Sequence, residues 1–103
     1  MPKIYEYLGF IFFFYSNEHL PVHCHIKRGQ KEMKAELIYE NGVLVIDFKK
    51  TRRTISFTGT ELDTIESFIR KFHTQIVEKW TSFFVYGKKP TFEKIKRTKK
   101  NVK

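Results

Sequence analysis

Between residues 32 and 39 polar and apolar side chains alternate. Met33, Ala35, Leu37 and Tyr39 fall on one side, Glu32, Lys34 and Glu36 on the other, the period-two signature of a half-buried strand. Asn41-Gly42 follows, then an apolar run over residues 43–48. This predicts a two-residue hairpin, because both central positions of a type I′ turn need positive φ. Upstream, residues 4–15 are β-rich and broken by Gly9, giving a short lead-in and then a stronger strand over 10–15. That strand is apolar on both faces, which predicts a central, covered position. Residues 16–21 read as a turn, and 23–27 as the next strand, closed by Arg28-Gly29-Gln30. Alternation in that strand places His23 and His25 on one face and Cys24 and Ile26 on the other. Residues 49–53 form a basic turn or strand extension, and 54–57 are a candidate short last strand.

The period then changes. Leu62, Ile65, Ile69, Phe72, Ile76, Trp80 and Phe83 recur at steps of three and four, predicting one helix from residue 60 to about 84, roughly 36 Å long at 1.5 Å per residue. Thr58 with Glu61, or Thr60 with Asp63, supplies a capping box, and Gly87 a stop. Beyond Pro90 only Phe92, Ile95 and Val102 are apolar, so the end of the chain is expected to fray. The expected fold class is α+β: a mostly antiparallel sheet of four or five strands packed against one long C-terminal helix, with a basic flexible tail. The expected organisation is a single domain over 1–87 and a tail over 88–103.

A chain of 103 residues fits one core. A hydrophobic fraction of 41% with eleven Phe excludes a disordered chain. The apolar run at 8–15 is far below the roughly 20 residues that span a bilayer, and no signal-peptide cleavage pattern follows it. One cysteine, Cys24, excludes an internal disulfide and fits a reducing compartment, so a cytoplasmic protein without membrane contact is expected. The net charge of +9 is uneven: residues 88–103 hold eight Lys or Arg against Glu93, leaving +2 for the rest. The candidate phosphate contacts are Lys49, Lys50, Arg52 and Arg53 in the body and Lys96, Arg97, Lys99 and Lys100 in the tail, with DNA or RNA as partner.

Three of the four histidines lie within seven residues, in His19-Leu20-Pro21-Val22-His23-Cys24-His25. Neutral imidazoles ligate transition ions at about 2.0–2.1 Å, so His19, His23 and His25 are candidate ligands for a divalent ion such as zinc, with Glu18 or His73 completing the set. Glu18 and His73 are also the candidate acid–base groups. The competing reading is structural, with His23 and His25 bonded to backbone or to Glu18 and His73 joining helix to sheet. Cys24 points away from the histidines and is a poor ligand. No Gly-x-Ser-x-Gly elbow and no glycine-rich phosphate loop is present. Trp80 and Phe72 read as core, whereas Tyr5, Tyr7, Phe12 and Phe14 would form a base-stacking face if their strand lay exposed.

The order of these motifs resembles a bacterial family, domain of unknown function 4160 (DUF4160). Met1-Pro2, Ile4, Gly9, the run from Phe12 to Glu18, His19-Leu20-Pro21-Val22-His23-Cys24-His25, Ala35, and a late helix bearing His73 and Trp80 follow its pattern over about residues 1–84. That pattern runs roughly F-F-F-Y-S-N-E-H-x-P-P-H-x-H-V, then a strand, then a helix ending E-H-R-x-x-L-x-x-W. Val22 stands where the family usually has a second proline. The resemblance implies that His19, His23, His25, His73 and Trp80 are the motif positions, and that the setting is that of small modules beside toxin–antitoxin or regulator genes. Three functions follow as expectations. The first is a nucleic-acid-associated module, within a toxin–antitoxin or regulatory pair with a cognate small protein. The second is a metal-dependent hydrolase or nuclease using His19, His23 and His25. The third is a protein-interaction subunit without catalysis.

Overall fold

The computed structural model describes residues 2–15, 20–51 and 54–96. Their elements are β1 (Lys3–Tyr7), β2 (Phe10–Phe13), β3 (His23–Arg28), β4 (Lys31–Glu40), β5 (Val43–Lys50), α1 (Gly59–Phe84) and β6 (Glu93–Ile95). They build one six-stranded sheet in the order β5-β4-β3-β2-β1-β6, with α1 across one face. The α+β class and the long covering helix agree with expectation; the strand count and pairing do not. The sheet is mixed, because β6 joins β1 in parallel, with Tyr5 opposite Glu93 and Tyr7 opposite Ile95. Residues 93–95 of the tail expected to fray therefore return to the sheet, while 97–103 lie outside the described residues. Conversely, the short strand expected over 54–57 shrinks to one parallel bridge between Ile55 and Lys31.

Three of the antiparallel connections are two-residue turns. Asn41 and Gly42 both take positive φ, 54° and 81°, as a type I′ turn requires. Leu8-Gly9 does the same between β1 and β2, at 51° and 82°, so a leucine occupies a position that favours glycine or asparagine. At Gly29-Gln30 only the glycine is positive, the pattern of a II′ turn.

The pleat sorts the side chains into two sets. Facing the helix are Tyr5, Phe10, Phe12, Phe14, Cys24, Ile26, Met33, Ala35 and Leu37, all buried with Ile65, Phe68, Ile69, Ile76 and Trp80 of α1. Phe68 is the hub: its ring lies 4.5–5.4 Å from those of Tyr5, Tyr7, Phe12 and Phe72. The base-stacking face considered for Tyr5, Phe12 and Phe14 is thus core, because α1 covers it. The opposite face carries the alternate residues of each strand: Glu6, Ile11, Phe13, His23, His25, Lys27, Lys34, Glu36, Asp47 and Lys49.

The helix starts on the first of the two expected caps. Thr58 Oγ1 accepts from the Glu61 amide and Glu61 Oε1 accepts from the Thr58 amide, a complete capping box. Glu61 also binds Lys31 Nζ at 2.8 Å and Arg28 Nη2 at 2.5 Å, so this carboxylate fixes the helix start to the β3–β4 turn. Arg28 in turn donates to the Leu8 carbonyl and lies 4.0 Å from the Phe10 ring centroid, joining a second turn to the first. The far end stops at Gly87, φ 68°, and the Lys88 amide donates to the Ser82 carbonyl.

Candidate functional site

Two of the motif histidines share the sheet face away from the helix. β3 pairs His25 with Phe13 of β2 and with Lys34 of β4, and His23 with Glu36, so all five side chains stand on that side. The rings of His23 and His25 are 5.4 Å apart at 77°, and both residues are buried, at 4% and 6% exposure. Phe13 stacks on His25 at 5.5 Å and Tyr15 meets it edge-on at 4.4 Å. The Tyr15 hydroxyl donates to Glu32 Oε2 at 3.0 Å, and His25 Nδ1 lies 3.7 Å from the same oxygen. His23 Nδ1 donates to the Pro21 carbonyl at 2.8 Å. The cluster is thus tyrosine, glutamate and two imidazoles held between β2, β3 and β4, a set able to hold and pass a proton. Sequence reasoning named His23 and His25 but missed Tyr15 and Glu32. Their signal lay in the register: Glu32 is opposite Lys27, one step along the same face from His25.

His73 is not part of it. It lies on α1, and its Nδ1 is 2.8 Å from the hydroxyl of Tyr39, which shares the helix-facing side of β4 with Met33, Ala35 and Leu37. The sheet therefore stands between His73 and the His23–His25 pair, which removes His73 from the ligand and acid–base set proposed for that pair. It joins helix to sheet instead, as the structural reading of the sequence anticipated. Cys24 also faces the core, where burial pushes its thiol up to about 12, out of reach of nucleophilic or ligand chemistry at neutral pH. Glu18 and His19 lie outside the described residues. Among the described residues no group of three His, Cys, Asp or Glu is placed to hold a metal ion.

The candidate phosphate contacts divide between the two edges of the sheet. Lys49 and Lys50 end β5 at one edge, whereas Lys96 follows β6 at the other. Five strand spacings, roughly 24 Å, separate those edges. Arg52, Arg53, Arg97, Lys99 and Lys100 lie outside the described residues. Lys49 is already engaged, 3.3 Å from Glu36 and 3.9 Å from Asp47. The β6 edge is more open. A groove of about 310 Å³ runs between the end of α1 and the segment leading into β6, lined by Tyr5, Lys79, Ser82, Lys88, Lys89 and Thr91, with Gln75, Glu78, Pro90 and Glu93 completing its wall. Lys79 closes its floor, donating to the Thr91 carbonyl and hydroxyl at 2.8 and 2.7 Å and meeting Glu93 at 3.0 Å. Burial, then Glu93 and Glu78, push the Tyr5 phenol up to about 12, so it stays protonated there. Lys88 and Lys89 are exposed at the groove. The sequence counted Lys88 and Lys89 among the basic residues of the tail but did not single out Lys79, and it does not reveal that the basic segment is docked.

Among the described residues no helix is long and apolar enough to cross a membrane. Compared with known proteins, residues 9–81 match the model of a family described as Domain of unknown function (DUF4160). No curated protein and no solved structure matches the chain.

Proposed function

The chain belongs to the DUF4160 family, and from that premise we propose that it is a nucleic-acid-associated module whose main phosphate contacts come from the basic segment docked along β1. One observation carries this reading. Lys88, Lys89, Lys94 and Lys96 lie on a segment that β6 and the contacts of Lys79 to Thr91 tie to the sheet edge; Glu93, the single acid among residues 88–96, lies 3.0 Å from Lys79, and of the four lysines Lys94 is 3.8 Å from Glu6. A docked cation loses less freedom on binding a phosphate than one on a loose tail. Ser82 and Thr91 add hydroxyl donors in the same groove. The sheet face itself is a weaker candidate, because Lys34 and Lys49 stand beside Glu36 and Asp47 and are paired with them.

The test is the salt dependence of binding to a labelled oligonucleotide. For duplex, log affinity should fall with log salt at about −0.9 per phosphate contacted, and for a single strand at about −0.7. Lys88→Ser/Lys89→Ser should flatten the duplex slope by nearly two. Absent or salt-independent binding would overturn the reading.

The His23–His25 pair supports a second reading, a metal-dependent hydrolase or nuclease in which His19, His23 and His25 ligate zinc or a similar ion and Glu18 acts as base. What favours it is the placement of both imidazoles on one face beside Glu32 and Tyr15. Metal analysis of tag-free protein should then find near-stoichiometric metal that a His23→Ala/His25→Ala variant lacks. Protein that neither carries metal nor gains thermal stability from added zinc would exclude it.

A further inference from the structure

The two edges of the sheet are protected unequally. β6 is three residues long, whereas β5 runs for eight without proline, and its register against β4 shows no bulge. Long regular edges of that kind invite pairing with another strand. The hairpin geometry fixes which groups are free. In a two-residue turn the residues flanking it exchange hydrogen bonds, so Glu40 and Val43 bond each other, and Val45, Asp47 and Lys49 continue to point their amides and carbonyls at β4. Leu44, Ile46, Phe48 and Lys50 then point theirs outward. The outward Leu44 carbonyl accepts from Arg70 Nη1 at 3.1 Å, as this alternation requires, and is thereby blocked. Ile46, Phe48 and Lys50 remain as the pairing set.

The charges on this strand are poorly matched within one chain. Lys49 stands directly opposite Lys34, and Asp47 directly opposite Glu36, two like-charge cross-strand pairs. Such pairs destabilise a ladder. Glu36 is relieved by Lys34 at 3.5 Å and Lys49 at 3.3 Å, but among the described residues Asp47 meets only Lys49, at 3.9 Å, and stays half-exposed. We infer that the partner of β5 is β5 of a second copy of this chain, paired antiparallel about a two-fold axis at Phe48.

That register satisfies every constraint at once. Phe48 exchanges both hydrogen bonds with its symmetry mate, and Ile46 pairs with Lys50 of the other copy on either side, using the three residues whose groups point outward. Between them Asp47 falls opposite Lys49 of the other copy, twice, in the closer non-hydrogen-bonded positions where side chains meet best. The acid left under-compensated by its own chain thus gains its cation from the second. An axis at Asp47 or Lys49 would also pair outward groups but would set Asp47 opposite Asp47, or Lys49 opposite Lys49, of the other copy, and an axis at Ile46 would need the blocked Leu44 carbonyl.

Sedimentation or light scattering over a concentration series tests this. The wild-type mass should rise from 12.4 kDa toward twice that value. Asp47→Lys or Lys49→Asp alone should weaken association about tenfold or more, while the double reversal restores it to within about threefold of wild type. Both reversals replace a like-charge pair within the chain by an opposite-charge one, so the monomer should stay folded by circular dichroism. Independently, Asp47→Cys/Lys49→Cys should form an oxidised dimer on a non-reducing gel much faster than either single cysteine variant. A wild type monomeric at every concentration, a dimer indifferent to single reversal, a double reversal that stays monomeric, or no preference for the cysteine pair would each overturn the inference.

Discussion

Lys79 is the point at which β6 is tied to the rest of the fold, and Lys79→Met tests whether that tie holds the basic segment. Its ammonium donates twice to Thr91, at 2.8 and 2.7 Å, lies 3.0 Å from Glu93 Oε1, and sits 4.9 Å from the Tyr5 ring centroid with the side chain only 10% exposed. Hydrogen bonds from a charged donor contribute about 1.5–3 kcal/mol each, and a cation over an aromatic ring adds about 0.5–1 kcal/mol at an accessible site. These contributions overlap, so the substitution removes roughly 3–5 kcal/mol of local anchoring. Ordering the backbone of β6 costs about 1–2 kcal/mol per residue. With only three register pairs to β1 left to oppose that cost, β6 should detach while the core persists. Hydrogen exchange followed by NMR should show β6 protection falling by about two to four orders of magnitude. Amides of β3 and β4 should change by less than about tenfold. Unchanged β6 protection would refute the argument, and so would an equal loss across the whole domain.

Other perturbations address the remaining joints. Phe68→Ala removes the ring shared by Tyr5, Tyr7, Phe12 and Phe72 and should cost about 3–5 kcal/mol in urea denaturation followed by Trp80 fluorescence; a loss below about 1 kcal/mol would contradict the packing described. The Glu61 carboxyl is lowered from 4.5 to about 2, first by the hydrogen bond from Lys31, then by the Thr58 amide and by Arg28. A lowered folded-state pKa contributes stability above the unfolded value and loses it as pH falls through the folded one. The stability difference between wild type and Glu61→Gln should therefore be constant above pH 4.5 and shrink as pH falls toward 2; a difference that grows on acidification would reverse the sign. Leu8→Asn, at φ 51° and 40% exposed, should stabilise the domain by roughly 0.5–1 kcal/mol, read as a higher urea midpoint. A lower midpoint would mean that the leucine side chain outweighs the strain.

Local chemistry made much of this fold readable in the chain. Asn41-Gly42 needs only its own backbone preference, Thr58 and Glu61 cap the helix across three residues, and the alternation from Met33 to Tyr39 names its buried face without reference to anything distant. The same alternation placed His23 and His25 together and turned Cys24 into the core. What stayed hidden depends on pairings between distant segments. Glu93-Lys94-Ile95 has neither the length nor the apolar alternation of a strand, and becomes one only because β1 offers an unpaired edge and Lys79 secures Thr91. Tyr15 and Glu32 are 17 residues apart and meet only once the β2–β3–β4 register is known. His73 shares the helix with Trp80, but helical periodicity does not say which strand lies beneath it; Tyr39 does.

The claim at the centre of this account is that the docked basic edge, and not the histidine face, meets nucleic acid. Titrating labelled protein with an oligonucleotide and following backbone amide shifts tests it directly. Shifts concentrated over residues 88–96 and on Ser82, with His23 and His25 unmoved, are the expected result. Shifts concentrated on His23, His25 and Glu32, or no shifts at any ratio in low salt, would contradict it.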